Sequence, residues 1–178
     1  MLKTHTLLRL GLIGGLLTLL ATGCSSVPAK PQVSGQIYDS RADGEQQLKA
    51  ALAKAQKEQK RVLLDLGANW CSDSQAMYRL LQTDAAIRQE IQQHFVLVLV
   101  DVNEQDGPAR NRPLLQHLGN PLTRGIPVLL VLDSKGELLN KEPAERLNDS
   151  AYSEPARVLA YLQKWATSLK PSGTPSGI

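Results

Sequence analysis

The chain has 178 residues, 42% of them hydrophobic, and its 20 Lys and Arg nearly balance its 17 Asp and Glu, for a formal net charge of +3. Apart from its terminal segments, this length suits one domain with a single core. No basic patch interleaved with aromatic residues is present, which argues against nucleic acid as a partner. No long apolar stretch follows the first twenty or so residues, so the body of the chain is expected to be soluble.

The chain begins with a basic segment and an apolar run. Lys3 and Arg9 are followed by residues 10–20, an apolar run that is too short to span a bilayer but suits the core of a signal peptide. The small residues 21–23 then lead directly to Cys24. This order resembles the lipobox of bacterial lipoproteins, which implies that residues 1–23 are a lipoprotein signal peptide and that Cys24 is lipidated. The alternative is an ordinary secretory signal peptide, with Cys24 an incidental thiol.

The resemblance to lipoproteins also predicts a location. Ser25, directly after the cysteine, implies the outer membrane in a Gram-negative bacterium, so the protein is expected in the cell envelope, lipid-anchored and facing the periplasm. Residues 24–42 are rich in Ser, Pro, Gly and Gln and predict a flexible tether. Residues 43–170 then form the expected domain, and residues 171–178 a disordered tail.

The domain alternates helix and strand signals. In chain order the pattern predicts a helix capped by Asp43, a strand over residues 61–66, a helix after Cys71, a helix starting at Thr83 or Asp84, a strand over residues 95–102, a short helix near residues 114–118, a strand over residues 126–133, a turn at residues 134–136 into a short strand over residues 137–139, and a last helix capped by Ser153. Helices that alternate with buried apolar strands indicate an α/β fold.

A single cysteine, Cys71, stands where the first strand turns into a helix. The free N–H groups of a helix start favour the thiolate, whereas the neighbouring Asp73 opposes it by like charge. Ser74 occupies the position three residues on, where a dithiol enzyme has its second cysteine. If Cys24 is lipidated, Cys71 is the one free thiol of the chain; a Cys24–Cys71 disulfide is the alternative.

These residues carry a resemblance to the thioredoxin family. Asp65, Trp70 and Cys71 follow in the family's order along a strand and the turn after it, and Gly125-Ile126-Pro127 opens a later strand. The resemblance covers most of residues 43–169. It implies the thioredoxin fold, a central mixed sheet with helices on both faces. It also implies a buried acid at Asp65 and a cis-proline at Pro127 beside the active site.

The residues expected to form the site fall into two groups. The catalytic group is Cys71, Asp65 and Ser74, and the substrate-binding group is Trp70, Ile126 and Pro127. A carboxyl group in an apolar strand needs a partner or a raised pKa, and Asp65 is either a proton relay, as the resemblance implies, or a structural acid. Trp70 is either a lid that faces the substrate or a core residue.

The missing second cysteine shapes the predicted chemistry. A serine cannot resolve a mixed disulfide, so one formed at Cys71 persists until an outside thiol attacks it. This predicts a Cys-x-x-Ser monothiol exchange protein whose partners are protein thiols and disulfides or small thiols such as glutathione. The alternative is a non-catalytic thioredoxin-fold module that binds a partner in a groove between Trp70 and Pro127.

Two histidines, His94 and His117, raise the question of a metal site. Neither a Cys-x-x-Cys pair nor closely spaced histidines occur in the chain, and His94 is expected at a helix end, where an imidazolium meets free carbonyl groups. No Ser/His/Asp triad, phosphate loop or glycine-rich fingerprint is present. The sequence therefore predicts no metal and no cofactor.

Overall fold

The computed structural model describes residues 36–105, 107–147 and 154–166. Within these ranges the chain forms, in order, α1 (Gly44–Glu58), β1 (Arg61–Gly67), α2 (Ser72–Thr83), α3 (Ala85–His94), β2 (Phe95–Asp101), α4 (Arg112–His117), β3 (Val128–Leu132), a 3-10 turn (Pro143–Glu145) and α5 (Pro155–Ala166). The predicted signal peptide, Cys24, Ser25, the Ser153 cap and the C-terminal tail lie outside the described residues.

The three strands form one mixed sheet in the order β2-β1-β3. The central strand β1 pairs in parallel with β2, where Asp65 is opposite Leu99, and antiparallel with β3, where Asp65 is opposite Leu129. The strand predicted at residues 137–139 is reduced to an isolated bridge between Leu132 and Leu138. The Asp133 carboxylate causes the chain to turn here, because it accepts hydrogen bonds from the backbone N–H groups of Lys135 and Glu137.

Helices cover both faces of the sheet, which confirms the predicted α/β class. All seven residues of β1 are buried, because alternate side chains point to opposite faces and each face has its own core. Leu64 and Leu66 pack toward α1 and α4, whereas Leu63 packs toward α2, α3 and α5. The fully buried Asp65 lies on the same face as Leu63.

The helix starts follow from local capping. The Asp43 carboxylate accepts hydrogen bonds from the N–H groups of Glu45 and Gln46, and Asp84 accepts one from Ile87. Of the two predicted starts for the third helix, the structure therefore selects Asp84 as the cap, with Ala85 as the first helical residue. α4 starts at Arg112, two residues before the predicted helix, with Pro113 in its first turn.

Of the predicted tether over residues 24–42, the structure describes residues 36–42, and this part packs on the domain. Asn69 accepts hydrogen bonds from the N–H groups of Ile37 and Tyr38 at 2.7 and 3.0 Å and donates one to the Tyr38 carbonyl at 2.7 Å. The Tyr38 side chain is completely buried. A single buried side chain in a polar stretch produces no periodic pattern, so the sequence contained no signal for this contact.

Candidate active site

Cys71 is the residue that caps the N-terminus of α2. Its backbone is extended, with φ −81° and ψ 115°, and its carbonyl accepts the hydrogen bond of Gln75 at 3.0 Å. The first N–H groups of α2 have no partners within the helix, and the Cys71 side chain makes no capping hydrogen bond to them. The residue is only 8% exposed.

The loop before β3 lies against the cysteine. The Cys71 thiol contacts the carbonyl oxygen of Ile126, with 3.7 Å between Sγ and O. The peptide bond that follows, between Ile126 and Pro127, is cis. The structure therefore brings three of the predicted site residues together, although Cys71 and Pro127 are separated by the whole of α2, α3, β2 and α4.

Asp65 lies in β1 with its carboxyl group completely buried. The Tyr38 hydroxyl donates a hydrogen bond to Asp65 Oδ2 at 3.1 Å, whereas Oδ1 has no hydrogen-bond partner in the part of the chain that the structure describes. Burial raises the pKa of Asp65 to about 7, and the bond from Tyr38 acts in the opposite direction. The sequence predicted either a partner or a raised pKa for this acid, and the structure shows both.

Ser74 lies in the first turn of α2 and is completely buried. Its hydroxyl oxygen accepts a hydrogen bond from the backbone N–H of Ala68, at 3.4 Å. The absence of a side chain at Gly67 leaves room for the Tyr38 and Ser74 hydroxyl groups. A Cβ atom there would lie 2.3 Å from the Tyr38 hydroxyl oxygen and 2.9 Å from Ser74 Oγ. Tyr38, Asp65 and Ser74 thus form one buried polar group directly beneath the turn that carries Cys71.

Trp70 is on the surface beside the cysteine, with 45% of its area exposed. Its indole N–H donates a hydrogen bond to Asn103 Oδ1 at 2.8 Å, which fixes the ring against the loop after β2. Of the two predicted roles, core or lid, this position fits a lid. Trp70 also borders a cavity of about 280 Å³, lined with polar groups that include Ser40 and Arg110.

The two histidines do not meet. His94 ends α3 and lies 3.7 Å from Glu90 one turn earlier, whereas His117 ends α4. Within residues 36–105, 107–147 and 154–166, no three His, Cys, Asp or Glu side chains are grouped so that they could hold a metal ion. Over these same ranges, every helix is too short or too polar to cross a membrane.

Three residues of the site were missed by the sequence analysis: Tyr38, Asn69 and Asn103. Each acts through a contact with a residue far along the chain, and no local pattern marks Tyr38 or Asn103. Asn69 alone had a usable signal, its place directly before Trp70 and Cys71 at the end of a buried strand.

Comparison with known proteins identifies the family. The model of the thioredoxin-like family matches residues 43–134, more than half of the chain and a range that contains Asp65, Cys71 and Pro127. The protein therefore belongs to the thioredoxin-like family. The fold agrees with a crystal structure of a disulphide isomerase from Xylella fastidiosa Temecula1, which is 32% identical; the match covers 72% of this chain and 95% of that one, with a TM-score of 0.63.

Two longer proteins are also similar to this chain, and both are named thiol:disulfide interchange protein DsbD. The protein from Tatumella citrea is 32% identical over 123 residues, and the one from Actinobacillus pleuropneumoniae serotype 5b (strain L20) is 28% identical over 110 residues. These matches cover 69% and 62% of this chain. The chain spans only 18% of the length of either relative.

The raised pKa of Asp65 predicts that the stability of the protein depends on pH. The folded-state pKa of Asp65, about 7, lies above its ordinary value of 3.8, so the folded protein holds a proton that the unfolded chain releases. The stabilisation that this proton gives the folded state is therefore fully present below pH 4. It decreases as the pH rises and is lost once the pH passes 7. We expect a loss of about 4 kcal/mol, at 1.36 kcal/mol for each unit of pKa.

Denaturant unfolding of the wild type and Asp65→Asn between pH 4 and pH 8 measures this loss. The variant cannot release the proton, so its free energy of unfolding relative to the wild type should increase across this range. Asp39→Asn, which removes an exposed carboxylate, should follow the wild type. If the free energy of unfolding changed with pH in the same way for the wild type and Asp65→Asn, the raised pKa of Asp65 would be contradicted.

Proposed function

We propose that this protein carries out thiol–disulfide exchange through Cys71 alone. The observation that supports this most directly is the pairing of Cys71, at the start of α2 and in contact with the Ile126 carbonyl, with a buried Ser74 one turn later. The names of the similar proteins, a disulphide isomerase and two thiol:disulfide interchange proteins, agree with this chemistry.

The exchange has two steps. The Cys71 thiolate attacks one sulfur of a partner disulfide, a mixed disulfide forms, and the other partner sulfur leaves as a thiolate. An outside thiolate, from glutathione or a second protein, then attacks the partner sulfur of the mixed disulfide and releases Cys71 as a thiolate. The number of disulfides is unchanged, so the cycle rearranges disulfides without net oxidation or reduction.

The surroundings of Cys71 suit an extended protein partner. The exposed ring of Trp70 lies on one side of the thiol, held by its hydrogen bond to Asn103. The Ile126 carbonyl contacts the thiol, and Pro127, the next residue, is buried. We propose that the partner chain lies between Trp70 and Pro127, with its disulfide over the sulfur of Cys71.

We further propose that the protein works in the cell envelope, attached by a lipid on Cys24 and facing the periplasm from the outer membrane. The apolar run at residues 10–20 and the small residues before Cys24 support this location. Disulfide chemistry fits an oxidising compartment, since cytosolic thiols are kept reduced.

The lipid anchor can be tested by labelling. In cells given radioactive palmitate, the wild-type protein should incorporate label and sediment with membranes. Cys24→Ala should lose the label, whereas Cys71→Ala should keep it. Label that persists in Cys24→Ala would contradict the anchor.

Restoring the second thiol tests the single-cysteine mechanism. In full chains that carry Cys24→Ser, dithionitrobenzoate should release one thionitrobenzoate per chain and leave a mixed disulfide at Cys71 that persists until glutathione is added. In Ser74→Cys the introduced thiol should attack this adduct and release a second thionitrobenzoate without glutathione. The adduct lifetime should fall at least about 100-fold, because the attack is intramolecular. Absorbance of the released thionitrobenzoate measures both steps.

Ser74→Ala is the matched control, because it changes the same buried position without adding a thiol. Its adduct should be as persistent as that of the serine protein. Rapid spontaneous loss of the adduct from the serine protein would contradict the proposed dependence on an outside thiol.

A binding module is the second candidate function, and one contrast favours it. The thiol of Cys71 is nearly buried, whereas the neighbouring Trp70 is 45% exposed, as a residue that contacts a partner surface would be. Such a module would use the same groove between Trp70 and Pro127 without sulfur chemistry.

Cys71→Ser separates the two functions. We expect it to abolish exchange of a protein disulfide, since serine cannot form the mixed disulfide. Binding of an unfolded, carboxymethylated protein without free thiols should change less than about twofold if the groove alone makes the contact, whereas Trp70→Ala should weaken it about tenfold. Titration calorimetry measures the binding. Full exchange activity in Cys71→Ser would contradict the leading proposal.

A further inference from the structure

The segment before α1 reaches the site from outside the matched family region, which begins at residue 43. The side-chain amide of Asn69 makes three hydrogen bonds to the backbone of Ile37 and Tyr38, all between 2.7 and 3.0 Å. Asn69 lies two residues before Cys71, so these bonds attach the segment to the turn that carries the cysteine. They fix the direction in which the Tyr38 side chain enters the domain.

The Tyr38 side chain ends between the buried groups of the site. Its hydroxyl donates to Asp65 Oδ2 at 3.1 Å, and only the absence of a Cβ atom at Gly67 leaves room for it. Burial, the charge of Asp65 and the hydrogen bond to Asp65 raise the pKa of Tyr38 far above its ordinary value, whereas Ser74 acts in the opposite direction. The phenol therefore keeps its proton and remains a hydrogen-bond donor throughout the working pH range.

Among the described groups around Asp65, Tyr38 is the one that donates a hydrogen bond to its carboxyl group. Ser74 is the neighbour from α2; it carries no charge, and its oxygen accepts the N–H of Ala68. Cys71 and Asp73 are the titratable groups at the start of α2. Across the three described ranges, no lysine or arginine forms a salt bridge with Asp65.

We infer that Tyr38 is a positioning residue of the Cys71 site, which holds the Asp65 carboxyl group in place and couples its protonation to exchange at Cys71. Because Tyr38 occupies Oδ2, the free oxygen Oδ1 is the one that binds and releases the Asp65 proton. Tyr38 also lies against the turn that carries Cys71: its backbone is bonded to Asn69, two residues before the cysteine, and its hydroxyl borders the same space at Gly67 as Ser74, three residues after the cysteine. This inference rests on the proposed exchange function.

Two variants should shift the titration of Asp65 in opposite directions. Tyr38→Phe keeps the carboxyl group buried but removes the donor to its ionised form, so the midpoint should rise by about one pH unit. Asn69→Ala removes the bonds that hold the segment, so water should reach the carboxyl group and the midpoint should fall. Tyr161→Phe is the matched control, because its hydroxyl is also buried but is bonded to the Leu129 carbonyl and Asn140.

The test uses full chains with Cys24→Ser, purified in detergent. The carbon-13 NMR shift of the Asp65 carboxyl carbon gives the midpoint, and the rate of reaction with dithionitrobenzoate gives the pH profile of Cys71. In Tyr38→Phe we expect the midpoint to move upward and the rate profile to shift with it, with both unchanged in Tyr161→Phe. A loss of stability alone would not produce this pattern.

The outcomes separate the two proposals. A reactive wild type whose midpoint or rate profile is unchanged by Tyr38→Phe would overturn the role of Tyr38 and leave the exchange function standing. An unchanged midpoint in Asn69→Ala would overturn the role of the segment in shielding Asp65. A wild type that does not react with dithionitrobenzoate would overturn the exchange function and this inference with it.

Discussion

The hydrogen bond from Tyr38 to Asp65 is the contact on which the site depends. A carboxyl group buried in the central strand is costly when ionised and unpaired, since it loses its water on both sides of the sheet. Here the cost is met by a raised pKa and one donor, supplied from 27 residues earlier in the chain. The domain is therefore complete only when the segment before α1 is packed against β1.

The same buried group sets the conditions around Cys71. Tyr38, Asp65 and Ser74 fill the space beneath the turn, and Gly67 leaves room for the phenol. The cysteine itself is held by different elements, the start of α2 and the Ile126 carbonyl. The scaffold thus keeps a single thiol in a fixed position with polar groups below it.

Local patterns predicted most of the fold. The strands at residues 61–66 and 95–102 are found within one residue of their predicted ends, because each is an uninterrupted apolar run buried against helices. β3 starts at Val128, two residues later than predicted, because Ile126 and Pro127 belong to the loop that faces Cys71. The predicted short strand after Gly136 forms only one bridge, since the Asp133 carboxylate holds the chain in a turn.

The sequence by itself determined the α/β class and the position of Cys71 at a strand-to-helix turn, through apolar periodicity, and the family resemblance implied that Pro127 lies beside the cysteine. Only the tertiary structure decided that Tyr38 donates to Asp65 and that Asn103 holds Trp70. The physical reason is separation: these partners lie 27 and 33 residues apart, and a single polar side chain leaves no repeating signal. Their contacts exist only once the sheet has brought distant segments together.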